Sequence, residues 1–154
     1  MTHQGSAAKR SRLTLTRYVL ARNGVPLGGS GSLQNMLRRS LGAASFASFW
    51  RFWNPIWGYY LARFVFRPSK RILPHPLALM FTFLVSGAIH DLVSTAVRGS
   101  ATLLFTPWFF LMSLGVLLGE ILDMDLSARA FGVRVAANLS YVGVCLWLAL
   151  RLNV

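Results

Sequence analysis

Acidic residues are nearly absent from this chain, and charged residues of either sign are scarce. Only four of its 154 residues are Asp or Glu, and 13% in all are charged, whereas about a quarter of a soluble domain is charged. Hydrophobic residues make up 55% of the chain. This composition argues against a soluble domain and predicts a single-domain, all-α integral membrane protein.

Cysteine and histidine are also rare, with one and three residues respectively. A single cysteine, Cys145, excludes an intramolecular disulfide, and its apolar surroundings in the sequence indicate a small buried hydrophobic residue. The scattered histidines lack the spacing of metal ligands. The chain also lacks a phosphate-binding loop, a dinucleotide fingerprint and a GxSxG motif. We therefore expect no metal site and no tightly bound cofactor.

Basic residues are the charge that the chain does carry, and they are unevenly distributed. There are sixteen Lys and Arg, the net charge is +12, and twelve of the sixteen lie in residues 9–71. Such an asymmetry is typical of a cytoplasmic flank that meets anionic lipid headgroups. We therefore expect a multi-pass membrane protein with a cytoplasmic basic N-terminal region. Its expected partners include membrane lipids but no nucleic acid. Arginines interrupt the apolar stretch at 13–24, so no secretory signal peptide is expected.

Three segments follow from the distribution of charge, aromatic rings and apolar runs. Residues 1–32 predict a basic N-terminal arm and linker, and residues 33–76 an interfacial segment. Within the latter, the aromatic run at 41–66 predicts an interfacial or steeply tilted helix, and residues 67–76 predict a basic loop. Residues 77–154 predict about three transmembrane helices, at about 77–97, 101–122 and 133–150. The first would be about 31 Å long, enough for a hydrocarbon core of about 30 Å.

The first predicted span carries His90 and Asp91 well inside it. Titratable groups at such depth are costly and usually face a protein interior or a wet cavity. On a helix, Ser86, His90 and Ser94 form one polar stripe. His90 is therefore either a structural, hydrogen-bonded histidine or a general base that removes a hydroxyl proton. Asp91 points about a quarter-turn away, so it cannot readily orient the His90 ring. We expect a structural pairing, with Arg98 or with an arginine of the basic flank, rather than the alternative of a catalytic role.

Asn54 precedes Pro55 inside the aromatic run. One interpretation is a helix boundary or kink, because proline removes a backbone donor and disfavours helical geometry at the residue before it. The other is an amide donor aimed at a carbonyl oxygen on which negative charge develops. The neighbouring basic residues either contact lipid or bind a phosphate-bearing donor such as coenzyme A. They are Arg51, Arg63, Arg67, Lys70 and Arg71.

Two segments, SFASFWRFWNPIWGYYLARFVFRP and ALMFTFLVSGAIHDLV, together resemble the membrane-bound O-acyltransferase (MBOAT) superfamily. The resemblance is closest to the branch that contains sterol and diacylglycerol acyltransferases and wax synthases. Its members carry an aromatic segment ending in Trp-Asn, then a basic loop, then an apolar helix reading roughly F-x-x-S-x-x-x-H-E. Here Trp53-Asn54 matches the first element, and Phe83, Ser86 and His90 match the helix, with Asp91 in place of glutamate.

The resemblance covers about residues 33–122, the C-terminal core of such enzymes. It implies acyl transfer from acyl-CoA to the hydroxyl of a lipid-like alcohol, with His90 as general base and Asn54 in support. The residues expected to contact the substrates are Trp50, Arg51, Trp53, Ser86, Arg63 and Arg67. Family members have many more spans than this chain, which offers only a partial MBOAT-type bundle. The alternative is a non-catalytic or truncated MBOAT-like protein that acts as a subunit or assembly partner in a homo- or hetero-oligomer.

Overall fold

A computed structural model describes residues 14–101 and 103–152, and every regular element in this part of the chain is helical. The all-α prediction is therefore confirmed. In chain order the elements are α1 (Leu15–Asn23), α2 (Ser32–Leu41), α3 (Phe46–Phe52), α4 (Pro55–Leu61), a π-helical segment (Ala62–Phe66), α5 (Arg67–Ser69), α6 (His75–Arg98), α7 (Phe105–Ile121) and α8 (Phe131–Leu152).

Helices α6 and α8 are long and apolar enough to cross a membrane. They have 24 and 22 residues, or about 36 and 33 Å at 1.5 Å per residue. Helix α7 has only 17 residues, about 26 Å, which is less than a hydrocarbon core of about 30 Å. Two of the three predicted spans therefore reach the required length. The middle one is shorter than predicted because the helix starts at Phe105 rather than at residue 101.

The aromatic run at 41–66 is not one helix, and that prediction is wrong. Helix α3 ends at Phe52, Trp53 is extended, and Asn54 has a left-handed backbone with φ 39°. Pro55 then occupies the first turn of α4, where its missing N–H is no loss. The break occurs at the Asn54-Pro55 step, so the prediction of a boundary there is confirmed.

The predicted basic loop at 67–76 is shorter than expected. Its start forms the single turn α5, which continues the π-helical segment, and α6 already begins at His75. Pro76 lies in the first turn of α6, a position that tolerates proline because the first N–H groups of a helix have no partner within it. The connection between the aromatic segment and α6 is thereby reduced to a tight turn.

Residues 1–13 of the predicted N-terminal arm and linker lie outside the described residues. The following residues form α1, which starts after the side-chain cap Thr14 and packs against α4 through an edge-to-face contact of Tyr18 with Tyr59. Val19 on the same helix is buried. Helix α1 is therefore attached to the aromatic segment rather than separate from it.

A small core joins α3 to α7 and α8. Its buried members are Ala43, Phe46, Phe49, Met112, Val116 and Cys145. Asn138 of α8, also buried, donates to the backbone carbonyls of Leu41 (2.9 Å) and Ala43 (3.0 Å). This amide fixes the start of the aromatic segment against the last helix.

Helices α6 and α7 approach closely at Gly87. A Cβ atom added there would lie 2.8 Å from both the carbonyl oxygen of Phe105 and the Cα of Thr106, well inside van der Waals contact. Glycine is therefore required for this crossing. The crossing lies one turn from His90 along α6, so it sets the surroundings of the histidine ring.

Candidate active site

The His90 ring is fixed by one hydrogen bond and three aromatic neighbours. Its Nδ1 lies 2.7 Å from the backbone carbonyl oxygen of Ser86. A carbonyl oxygen only accepts, so Nδ1 carries the proton of the neutral ring and Nε2 keeps a free lone pair. Trp57, Phe105 and Phe109 surround the ring, with centroids 5.9, 5.5 and 5.1 Å away. His90 is therefore held in the tautomer that a general base at Nε2 requires.

Ser86 connects His90 to helix α4. Its side chain is 2% exposed, and its hydroxyl accepts a 2.9 Å hydrogen bond from the indole Nε1 of Trp57. The carbonyl of Ser86 thus holds the histidine while its hydroxyl holds the tryptophan. Ser86 was predicted to contact substrate, and in the structure its hydroxyl is bonded to Trp57.

Trp57 contacts both Ser86 and His90, but it was not among the predicted site residues. The available signal was its position three residues after Asn54, in the first turn of the helix that Pro55 begins. Among so many aromatic residues, nothing in the sequence distinguished the one whose indole N–H reaches across to α6.

Asn54 caps helix α4 and also faces the site. Its Oδ1 accepts a hydrogen bond of 3.2 Å from the backbone N–H of Trp57, an N-cap contact that satisfies one of the first N–H groups of the helix. The interpretation of Asn54 as a boundary residue is therefore confirmed. Because Oδ1 is bound to the cap, the Nδ2 group is the free end of the amide. Nδ2 is a donor only.

Two cavities meet at this group. The larger, of about 510 Å³, is bounded mainly by one face of α6, and the smaller, of about 230 Å³, lies among α3, α4, the π-helical segment and α6. Asn54, Trp57 and His90 belong to the walls of both cavities. The structure therefore brings the predicted Asn/His pair to a shared wall, 36 positions apart in sequence.

Trp50 and Trp53, which were predicted to contact substrate, both line the smaller cavity. The Nε1 atom of Trp50 is buried, and no described residue accepts a hydrogen bond from it. Trp50 also packs edge-to-face against Phe83 of α6 at 5.2 Å between ring centroids. The smaller cavity thus has an aromatic wall, and the buried indole N–H of Trp50 has no acceptor among the described residues.

The three arginines predicted to contact substrate lie elsewhere. Arg51, Arg63 and Arg67 are exposed and line neither of the two cavities. Arg63 donates to the hydroxyl of Tyr59 at 2.7 Å. Because these arginines lie outside both cavities, they could contact a substrate only where it extends beyond the cavities.

Asp91 is buried and forms no ion pair with an arginine of the described residues, so the predicted pairing is wrong for that part of the chain. Its Oδ1 accepts from the backbone N–H groups of Leu104 (2.9 Å) and Phe105 (2.8 Å). Its Oδ2 accepts from the backbone N–H (2.7 Å) and the hydroxyl (2.6 Å) of Thr106. The carboxylate therefore caps α7 from the neighbouring helix, where negative charge is favoured.

Within residues 14–101 and 103–152, no group of three or more His, Cys, Asp and Glu side chains is close enough to hold a metal ion. No protein-family model, no curated protein and no solved structure matches this chain. The MBOAT resemblance therefore depends on the two sequence segments that carry it.

Proposed function

We propose that this chain is a membrane-embedded O-acyltransferase module of the MBOAT type. It transfers an acyl group from acyl-CoA to the hydroxyl of a lipid-like alcohol. One observation carries the proposal: His90, with Nδ1 bonded to the Ser86 carbonyl, stands in the wall that two cavities share. A transferase of this kind needs a general base between the binding sites of its two substrates.

The exposed surface of α6 and α8 supports a membrane location. Only 22% and 17% of the residues in their most apolar stretches are buried within the protein, whereas the core helix of a soluble protein would be mostly buried. Leu92 and Val97 on α6 are 69% and 81% exposed, and Leu152 on α8 is 70% exposed. Lipid would cover these faces in a multi-pass protein whose basic N-terminal region lies in the cytoplasm.

In the proposed reaction, Nε2 of His90 accepts the proton of the acceptor hydroxyl while the hydroxyl oxygen attacks the thioester carbonyl carbon. The Nδ2 group of Asn54 donates to the oxyanion that forms on the carbonyl oxygen. When the tetrahedral intermediate collapses, the C–S bond breaks and the thiolate of coenzyme A takes the proton from the His90 imidazolium. The products are an ester and free coenzyme A, and the histidine returns to its starting state.

The aromatic wall of the smaller cavity suits the apolar acyl chain, and the wall includes Ala62 and Phe66 of the π-helical segment, which also carries Arg63. Arg67 follows directly at the start of α5. Guanidinium groups at these positions suit the phosphates of the coenzyme. In this arrangement the larger cavity is left for the acceptor alcohol.

The test is transfer of a labelled acyl group from acyl-CoA to a panel of lipid alcohols in membranes that contain the full chain. His90→Ala is expected to abolish transfer. The matched control is His75→Ala, which makes the same change on the same helix at an exposed residue outside both cavities. Equal transfer by wild type and His90→Ala, at matched expression, would refute His90 as the base.

Asn54→Asp separates the two functions of that residue. Aspartate keeps an oxygen for the N-cap contact with Trp57 but replaces the amide donor by a second oxygen. Loss of one oxyanion donor typically lowers kcat by about 10²–10³. We expect that loss in Asn54→Asp with little change in stability.

One observation favours a second candidate, a subunit that is inactive alone. Val93 and Val97 belong to the wall of the larger cavity yet are 57% and 81% exposed, so this cavity is open on their side. A second copy or another polypeptide would close it. Transfer that appears only when a partner is co-expressed, and that still needs His90, would support this candidate.

A further inference from the structure

Arg98 is the one strongly charged residue among the described walls of the larger cavity. It is the last residue of α6, and it lines the cavity with His90 and Ser94 on the same helix. No Asp, Glu or Lys is among the described residues of that wall. A permanent cation at one end of a mainly apolar cavity makes the cavity favour ligands with an anionic group.

The guanidinium of Arg98 has no partner in the described part of the chain. The nearest acidic residue in sequence, Asp91, directs both of its oxygens to the start of α7. Arg22 and Arg39, by contrast, each donate to a backbone carbonyl. The Arg98 side chain forms no ion pair and no hydrogen bond with a described residue, so its guanidinium donors are available to a ligand.

The spacing along α6 sets the length of such a ligand. Eight residues separate His90 from Arg98, which is about 12 Å along a helix. The wall between them includes Val93 and Val97, which are apolar. A ligand that spans this distance would place a reactive group at His90, an apolar chain along the valines and its charged group at Arg98.

We propose that the acceptor of this transferase is a hydroxyl-bearing amphiphile with an anionic oxyacid group, and that Arg98 is the residue that selects it. This inference rests on the proposed function, because the hydroxyl at His90 is the group that would be acylated. The planar guanidinium binds a carboxylate or a phosphate through two parallel hydrogen bonds. Arg98 lies at the end of α6 opposite to the basic turn at its start, so the acceptor would enter from that end.

Arg98 also has a purely structural explanation. A cation in the last turn of a helix interacts favourably with the helix dipole. If that were its only role, a substitution of Arg98 would change the stability of the protein and would change the activity toward every acceptor by the same factor. The structural role predicts no change in the ratio of activities toward charged and neutral alcohols, and this ratio is the quantity to measure.

The experiment uses the full chain in liposomes and three acceptors of equal length: decanol, ω-hydroxydecanoate and ω-aminodecanol. For the wild type we expect kcat/KM to be at least about tenfold higher for the carboxylate than for decanol, since hydrogen bonds to charged groups are among the stronger ones. Arg98→Gln should remove this preference, so that kcat/KM for the carboxylate falls to about the value for decanol. Arg98→Glu should reverse it in favour of the amine. Arg151→Gln, at an exposed arginine over Trp147 and outside the cavity, is the control.

A binding measurement separates failure of this inference from failure of the proposed function. Binding of labelled ω-hydroxydecanoate to His90→Ala, with and without Arg98→Gln, reports on Arg98 without turnover. Competition with decanoate and with decyl phosphate distinguishes a carboxylate from a phosphate ligand. Loss of binding in the double variant supports the inference even if no acceptor is acylated. Equal binding with and without Arg98→Gln, or an acceptor preference that no Arg98 variant changes, would overturn it.

Discussion

Replacing Asp91 tests how the two central helices are held together. Its carboxylate accepts four hydrogen bonds from the first residues of α7 and is 3% exposed. Asp91→Asn keeps the oxygen facing Leu104 and Phe105 but places an NH₂ group opposite the two donors of Thr106. Each hydrogen bond to a charged group contributes about 1.5–3 kcal/mol. We therefore expect Asp91→Asn to lower the free energy of unfolding by about 3 kcal/mol, and Asp91→Ala to lower it further.

The assay is reversible unfolding of the purified chain in mixed detergent micelles, followed by circular dichroism. Glu120→Gln is the matched control, because it removes the same charge at an exposed position of α7 and should change stability by less than about 0.5 kcal/mol. Thr106→Val isolates the hydroxyl bond and should cost about 1–2 kcal/mol. If Asp91→Asn were as stable as Glu120→Gln, the Asp91 cap would contribute nothing to the free energy of unfolding, contrary to this prediction.

Three further substitutions test other contacts. Trp57→Phe removes the indole donor to Ser86 but keeps an aromatic ring. We expect acyl transfer to fall by about tenfold and the free energy of unfolding to fall by about 1 kcal/mol, the net value of one hydrogen bond. Gly87→Ala places a Cβ 2.8 Å from the Phe105 carbonyl oxygen and should destabilise by about 1–3 kcal/mol, measured by the same unfolding assay. Asn138→Leu leaves two backbone carbonyls without their donor and should lower the free energy of unfolding by about 1–3 kcal/mol. An unchanged unfolding midpoint would show that these two hydrogen bonds do not stabilise the protein.

The sequence predicted those features that depend on local chemistry. The Asn54-Pro55 step stops a helix because of proline stereochemistry, and this holds whatever packs around it. The apolar runs of α6 and α8 are long enough to be read directly from hydropathy. The spacing of Ser86 and His90 places both on one side of a helix, and the structure joins them through a backbone carbonyl.

The features that the sequence did not predict all depend on contacts between distant segments. The partner of Asp91 is a set of backbone N–H groups, which leave no mark in a sequence, so an arginine was expected instead. The Trp57–Ser86 hydrogen bond joins residues 29 positions apart, and several other tryptophans were equally plausible donors. The start of α7 at Phe105 likewise follows from the cap that Asp91 supplies and not from the apolar run itself.

The neighbouring residues His90 and Asp91 of α6 thus have different roles. Successive residues on a helix point about 100° apart, so His90 faces the cavities while Asp91 faces α7. By fixing the first turn of α7, Asp91 also places Phe105 and, one turn later, Phe109 against the His90 ring. Trp57 contacts the same ring edge-on. The orientation of the proposed base therefore depends on a carboxylate that does not touch it, and loss of the cap should reduce transfer as well as stability.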